Sequence, residues 1–253
     1  MLEYIPNTHR FFVAPEAIQG DQVFLNEASL LHQLSSVLRL RSGARILLLD
    51  NSGSEYVVEL DQIERKQAFG HVIEQRVSSN ETSVTLTIYI ALLRGERFEL
   101  VLQKGTELGV QRFVPVQFAR SLSSERADAK KMERWQRILR EAAEQSCRAR
   151  IPELLAPLSF EQACQHAQGS RAFLLYEGNS PPMRQVLISS FSDAAPEGGY
   201  ALFSGPEGGI TSEELTSASA HGIMAVSLGP RILRAETAPI AATAALLFAL
   251  GDL

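Results

Sequence analysis

Up to about Glu74, hydrophobic and polar positions fall mostly into short, strand-like runs: FFVA, QVFL, ARILLLD, EYVVELDQI and FGHVIEQ. β-Branched and aromatic residues fill them, and turn residues such as NSGS at Asn51–Ser54 separate them. One helical pattern interrupts, from Ala28 to Leu38, with Leu30, Leu31, Leu34, Val37 and Leu38 on one face and Asn26 as its expected cap. The polar stretch RVSSNETS, from Arg76 to Ser83, reads as a linker.

Beyond it strands alternate with helices. VTLTIYIALL, FVPVQF, RAFLLYEG, YALFSG and MAVSLG are predicted strands. Predicted helices span Glu96–Leu108, with Gly109 as a left-handed cap, and a long segment capped by Asp128 with Met132, Trp135, Leu139 and Ala142 as its stripe. Further helices are predicted over Pro181–Phe191, after a T-x-x-E capping box at Thr211 and Glu214, and over Thr237–Leu250 with Pro239 in its first turn. Such alternation implies a largely parallel sheet with helices on both faces. The expected organisation is residues 1–75, a linker at 76–83, and an α/β domain at 84–253.

Composition narrows the class. With 45% hydrophobic and 21% charged residues in a chain of 253, the sequence is that of a soluble globular protein. No apolar run reaches the roughly 20 residues that span a bilayer, and the start, MLEYIPNTHRFF, lacks the pattern of a secretory leader. Two cysteines, Cys147 and Cys164, give no disulfide framework, and the scattered histidines give no metal-ligand spacing. A cytoplasmic protein without a metal or membrane partner is expected. The net charge is −5, yet the stretch Arg126–Arg150 carries eight basic residues against four acidic ones. That stretch reads either as a nucleic-acid patch or as a solvated helix face.

Candidate chemistry lies at three strand ends: Leu174–Gly178, Phe203–Gly209 and Ser227–Arg234. In open parallel sheets, ligands bind beyond the carboxyl ends of strands. The glycines of GPEGG do not form G-x-G-x-x-G, and no Gly-Lys-Ser/Thr follows, so neither a dinucleotide fold nor a phosphate loop is indicated. Tight strand-to-helix turns are the plain alternative. Backbone groups, the side chains of Leu175, Leu228, Ile232 and Leu233, and nearby carboxylates suit a flat ring with hydroxyls and little negative charge, such as an adenosine bearing a sulfonium.

Five motifs in order, HRFFV at His9, KGTELGV at Lys104, EAAEQSCR at Glu141, GPEGG at Gly205 and LGPRILRAETA at Leu228, resemble the bacterial 16S ribosomal RNA (uracil-N3)-methyltransferases. The resemblance covers essentially the whole chain. It implies an N-terminal PUA-like β-barrel domain that binds RNA and a C-terminal parallel-sheet SPOUT domain with a trefoil knot. It further implies a homodimer, S-adenosylmethionine as methyl donor, and 16S ribosomal RNA or the assembled small subunit as partner. Gly105 stands where the resemblance implies alanine, an exchange worth up to about 1 kcal/mol in a helix.

Carried over, the donor site comprises Leu175 and Glu177, then Gly205, Pro206, Glu207, Gly208 and Gly209, then Leu228, Gly229, Ile232, Leu233 and Arg234, with Thr237 at the last helix start. N3 of uracil carries a proton and lies on the pairing edge, so the base must be unpaired and its developing charge stabilised. Arg234 is the expected catalytic guanidinium, its plain alternative being a pair with Glu236. Glu107 and Glu177 both fit a general base, and none is assigned. RNA contacts are expected from His9, Arg10, Arg39 and Arg41 in the first domain and Arg94, Lys104, Arg120 and Arg148 in the second. Two other readings stay open: a non-catalytic RNA-binding ribosome assembly factor, and a Rossmann-type nucleotide enzyme.

Overall fold

A computed structural model describes residues 9–121, 127–190 and 196–253. Residues 1–8, Arg126 of the basic stretch and Phe191 at the predicted helix end lie outside the described residues. The chain forms two compact units. One ends at Glu81 and regains Ala143–Ile151; the other comprises Thr82–Ala142 and Pro152–Leu253. The boundary thus falls inside the expected linker, and a piece of the expected second domain belongs to the first unit.

The first unit holds β1 (Arg10–Phe12), β2 (Ile18–Gln19), β3 (Gln22–Leu25), β4 (Arg45–Leu49), β5 (Ser54–Ile63) and β6 (Ala68–Val77) in one mixed sheet. The order is β1-β4-β5-β6-β3-β2, with β1 and β4 parallel and the other pairs antiparallel. Strand β4 reads RILLL and is buried on both faces. Because successive side chains point oppositely, Ile46 and Leu48 join a core with Phe11, Val23, Leu34 and Leu60, while Leu47 and Leu49 meet Phe12, Ala143 and Ala149. The regained segment is therefore a second apolar cover.

Glu81 fixes that cover. Its carboxylate accepts Arg148 Nη2 at 2.8 Å and Nε at 3.1 Å, and the backbone N–H groups of Ala149 and Arg150 at 3.0 Å each. Asn80 adds a bond to the Cys147 carbonyl at 2.9 Å. The expected linker is a tether, not a free segment.

The predicted helix is α1 (Ala28–His32), which continues as a π-turn through Val37. Its cap residue is Glu27, not Asn26, and makes no side-chain capping bond, because its carboxylate takes the Ser29 hydroxyl. Leu38 N–H reaches back to Gln33 O at 2.9 Å, the five-residue step that defines a π-turn.

In the second unit, β7 (Leu86–Ala91), β8 (Arg112–Gln117), β9 (Glu153–Leu154), β10 (Leu158–Ser159), β11 (Arg171–Leu175), β12 (Tyr200–Ser204) and β13 (Met224–Val226) form one parallel sheet. Its order is β10-β8-β7-β12-β11-β13, with β9 also on β8. The strands are near-continuous apolar runs, as burial on both faces requires. The helices are α2 (Arg97–Leu108), α3 (Ala129–Gln145), α4 (Phe160–His166), α5 (Met183–Ser190), α6 (Ser212–Ala220) and α7 (Thr237–Leu250). Helix α3 crosses from the second unit's residues into the first unit's segment at Ala143.

Residues at three helix ends behave as the sequence predicts. Gly109 is left-handed at φ 102°, and Val110 N–H bonds to Gly105 O at 2.9 Å. Asp128 accepts Lys131 N–H at 2.8 Å, and Thr211 with Glu214 closes a capping box. The pattern did not predict β9, β10 or α4, although Ser159 and Gln162 form a second capping box there. Gly105 is not neutral: a Cβ would lie 2.7 Å from the Phe113 ring.

Three outcomes follow for stability. Glu81→Ala removes the carboxylate bonded to the buried Arg148 and to the N–H groups of Ala149 and Arg150, and should cost about 3–5 kcal/mol in denaturant unfolding. Gly105→Ala should lower stability by about 1–3 kcal/mol through overcrowding, against a propensity gain of up to about 1 kcal/mol. Burial raises the Glu55 carboxyl, but bonds from Arg10, Arg76 and Ser78 and the Arg10 charge outweigh it, holding the group below its ordinary 4.5. This stability is present above 4.5 and is lost as pH falls through the lower folded value. Thermal melts of Glu55→Gln should accordingly show a weaker acid dependence than wild type.

Candidate functional site

Parallel pairing sets four strand ends on one line. Val226 of β13 pairs with Leu175 of β11, Leu175 with Ser204 of β12, and Ser204 with Ile90 of β7. The segments leaving these strands therefore emerge side by side at the carboxyl edge, where such sheets bind ligands. Two of them are clasped. Tyr176 N–H donates to Val226 O at 2.9 Å, Ser227 N–H to Pro181 O at 2.9 Å, and Met183 N–H to Ser227 O at 2.8 Å. Residues 176–183 thus hold Ser227 through both its backbone groups.

Against this clasp lies a cavity of about 130 Å³. Six residues of the expected donor site, Leu175, Glu177, Leu228, Gly229, Ile232 and Leu233, line it together with Tyr176, Ser227, Pro230, Arg231 and Ala238. These five adjoin the predicted residues, so continuity along the loops was the available signal. Gly229 sits at φ 114°, a conformation that favours glycine, and turns the chain at the cavity wall. The lining offers apolar side chains and backbone, with one carboxylate and one guanidinium. That donor set fits a flat, hydroxylated, cationic ligand better than a pyrophosphate, which calls for concentrated positive charge or a helix N-terminus.

Gly205–Gly209, Arg234 and Thr237 are not among the cavity's lining residues. The glycine loop lies beside it instead, and its glycines serve close packing. A Cβ on Gly209 would sit 3.4 Å from Glu177 Oε1; one on Gly208 would sit 3.0 Å from Arg120 Cβ and 3.1 Å from the Arg120 carbonyl. Arg120 Nη1 donates to Gly208 O at 3.1 Å. Glu214, which closes the box with Thr211, also accepts Ala119 N–H at 2.8 Å, so the exits of β8 and β12 are joined.

Glu207 projects from this loop to Arg97 at the start of α2, Nη1 to Oε1 3.0 Å. Arg97 also approaches Glu236, Nε to Oε1 3.9 Å. Glu236 is 8% exposed, and its Oε2 has no hydrogen-bond partner among the described residues. The sequence allowed a pair between Arg234 and Glu236; the structure sets Glu236 against Arg97 instead. Arg234 is exposed and forms no ion pair among the described residues, while its carbonyl accepts the N–H groups of Thr237 and Ala238. Thr237 is exposed at the first position of α7.

Of the two possible bases, Glu107 is gripped by Lys104 at 2.8 and 2.9 Å, while Glu177 is exposed at the cavity. Burial, with the charge of Glu161, pushes the Cys164 thiol up to about 11, which keeps it protonated and unreactive. Among the described residues no group of three or more His, Cys, Asp or Glu is placed to hold a metal ion, and no helix is long and apolar enough to cross a membrane.

The expected RNA contacts divide by burial. His9, Arg39 and Arg41 in the first unit, and Arg94 and Arg120 in the second, are exposed. Arg39 holds a left-handed backbone at φ 54° just after the π-turn. Arg10 is bound to Glu55 at 2.9 Å with its side chain 13% exposed, and Arg148 is buried against Glu81. Their charges are directed into the fold. Arg148 groups with the first unit, whereas it was expected in the second. Lys104 is half-buried and engaged by Glu107.

A family model for an RNA methyltransferase domain matches residues 80–247. The ribosomal RNA small subunit methyltransferase E of Synechocystis sp. is 39% identical, over 93% of this chain and 76% of that protein. Its Bacillus subtilis counterpart is 34% identical, over 94% of this chain and 96% of that protein. Among solved structures, the Neisseria gonorrhoeae ribosomal RNA small subunit methyltransferase E bound to S-adenosyl methionine superposes with a TM-score of 0.84 at 30% identity, covering 95% of this chain and 97% of that one. A putative methyltransferase from Legionella pneumophila, also with S-adenosyl methionine bound, gives 0.84 at 31% identity, covering 96% and 98%. The chain belongs to the ribosomal RNA small subunit methyltransferase E family.

Proposed function

We propose that the chain transfers a methyl group from S-adenosylmethionine to N3 of one uridine in the 16S ribosomal RNA of the small subunit, in the cytoplasm. One observation carries this reading: the cavity at the clasped ends of β11 and β13 combines leucine and isoleucine side chains with backbone groups and a single guanidinium, a set that suits a sulfonium-bearing adenosine better than a phosphate, in a chain whose relatives are ribosomal RNA methyltransferases. The donor supplies an electrophilic methyl group on sulfur. Leu228, Ile232 and Leu233 bind its ring and exclude water, and the glycine loop, braced by Arg120, backs Glu177. Arg234, exposed and without an ion-pair partner among the described residues, stabilises charge on the uracil carbonyls as N3 is alkylated. His9, Arg39, Arg41, Arg94 and Arg120 serve phosphate and base contacts.

In this reading the first unit is a PUA-like barrel and the second a SPOUT domain with a trefoil knot. The clasp on Ser227 supports the knot, since the chain beyond it runs on to α7, which packs against β12 and α2. A homodimer is supported by an apolar groove of about 660 Å³ between α5 and α7, whose rim residues Ile188 and Phe248 are 67% and 74% exposed.

Calorimetric titration with S-adenosylmethionine, NAD and ATP tests the site before any RNA is needed. Saturable binding of S-adenosylmethionine alone is expected. Gly208→Val, whose Cβ would press on Arg120, should weaken it by about tenfold or more, roughly 1.4 kcal/mol. Arg234→Ala should slow transfer to small subunits by about 10²–10³, with the product read as an N3-methylated nucleoside by mass spectrometry. RNA binding indifferent to S-adenosylmethionine, with no transfer, would instead identify an assembly factor.

A further inference from the structure

Glu236 stands out because its burial has no structural return. It occupies the cap position of α7 with helical backbone angles (φ −78°, ψ −30°), yet its side chain makes no capping bond. The residue is 8% exposed, Oε2 lacks any hydrogen-bond donor among the described residues, and Oε1 stands 3.9 Å from Arg97 Nε, beyond hydrogen-bond reach. Arg97 gives its hydrogen bond to Glu207 instead, Nη1 to Oε1 3.0 Å. Buried polar atoms are nearly always satisfied, and the exceptions concentrate at functional sites.

Its position says what it awaits. The strand ends run β13, β11, β12, β7 across the carboxyl edge, and the donor cavity lies over the first two. Glu207 leaves β12 and Arg97 opens the helix that follows β7, so Glu236 lies with the second two. The glycine loop separates the halves: Gly209 adjoins Glu177 of the cavity, and Glu207 faces Arg97. Leu233 and Ala238, three residues before and two after Glu236, both line the cavity. The Glu236 carboxylate thus stands on a segment whose two ends border the cavity, on the side of the glycine loop away from Glu177.

Resting on the function proposed above, we infer that Glu236 is the proton acceptor for uracil N3. As the reaction proceeds, the N3–H bond breaks and its pair stays on nitrogen, where it forms the bond to the methyl carbon. The carbon–sulfur pair leaves on sulfur as a neutral thioether. The proton bonds to Glu236 Oε2 and then passes to water. Arg97 on α2 is the cation facing this carboxylate, Nε to Oε1 3.9 Å, and Glu207 is the other carboxylate on Arg97.

Glu236→Gln keeps the size and polarity of the side chain and removes its capacity to take a proton. With assembled small subunits in single-turnover assays, it should transfer methyl at least about 100-fold more slowly. Donor affinity by calorimetry should stay within about twofold of wild type, a change worth about 0.4 kcal/mol. The deficit should shrink as pH rises, because alkaline solvent then removes the N3 proton. Transfer at the wild-type rate, a deficit constant with pH, or a parallel loss of donor binding overturns the assignment. Should Glu236→Gln fail to fold, Glu236→Asp retains the charge beside Arg97 and withdraws the oxygen by one methylene. It should slow transfer about tenfold or more with donor affinity kept, and a wild-type rate in that variant is equally fatal. A wild-type protein that neither binds the donor nor transfers methyl removes the methyltransferase reading, and this proposal with it.

Discussion

The clasp on Ser227 is the constraint on which the second unit's chemistry depends. Strand β13 has only three residues and lies at the sheet's edge, a position from which a short strand frays readily. Hydrogen bonds from Tyr176 N–H to Val226, from Ser227 N–H to the Pro181 carbonyl and from Met183 N–H to Ser227 extend its pairing beyond its last residue and fix the chain that follows. Gly229 then turns that chain, so Leu228, Ile232 and Leu233 face the same cavity as Leu175 and Glu177. Backbone bonds place the site; the side chains only furnish it. This explains why loops rich in glycine and proline carry the chemistry in a chain with little charge to spare there.

The first unit depends on a comparable economy. Its sheet has an apolar second face because β4 is hydrophobic at every position from Ile46 to Leu49. Ala143, Ala149 and Ile151 cover that face from more than sixty residues downstream, held by the Glu81 carboxylate. Arginines are drawn inward in the process. Arg148 and Arg10 meet Glu81 and Glu55, and basic residues that the sequence offers to nucleic acid are used to complete the core.

Much of this was legible in the sequence, for identifiable reasons. Strands and helices of the second unit follow from apolar periodicity and from local caps, Gly109, Asp128 and Thr211–Glu214, which act within a few residues of themselves. The cavity followed wherever consecutive loop residues line it. What sequence did not reveal is tertiary in origin. The return of Ala143–Ile151 to the first unit depends on Glu81, far off in sequence. The short β9 and β10 exist only because β8 offers them an edge. The glycine loop's role beside the cavity depends on Arg120 and Glu177, and the isolation of the Glu236 carboxylate depends on Arg97 turning toward Glu207.

Ser227, Leu228 and Gly229 line the cavity at the strand ends on one side and the apolar groove between α5 and α7 on the other. Three residues are thus a common wall for two compartments, with the clasp limiting how far it shifts. Whatever fills the groove and whatever fills the cavity meet the same short segment, so any coupling between them passes through it. Linkage makes that coupling reciprocal: occupancy of the groove sets the affinity of the cavity by the same factor as the reverse.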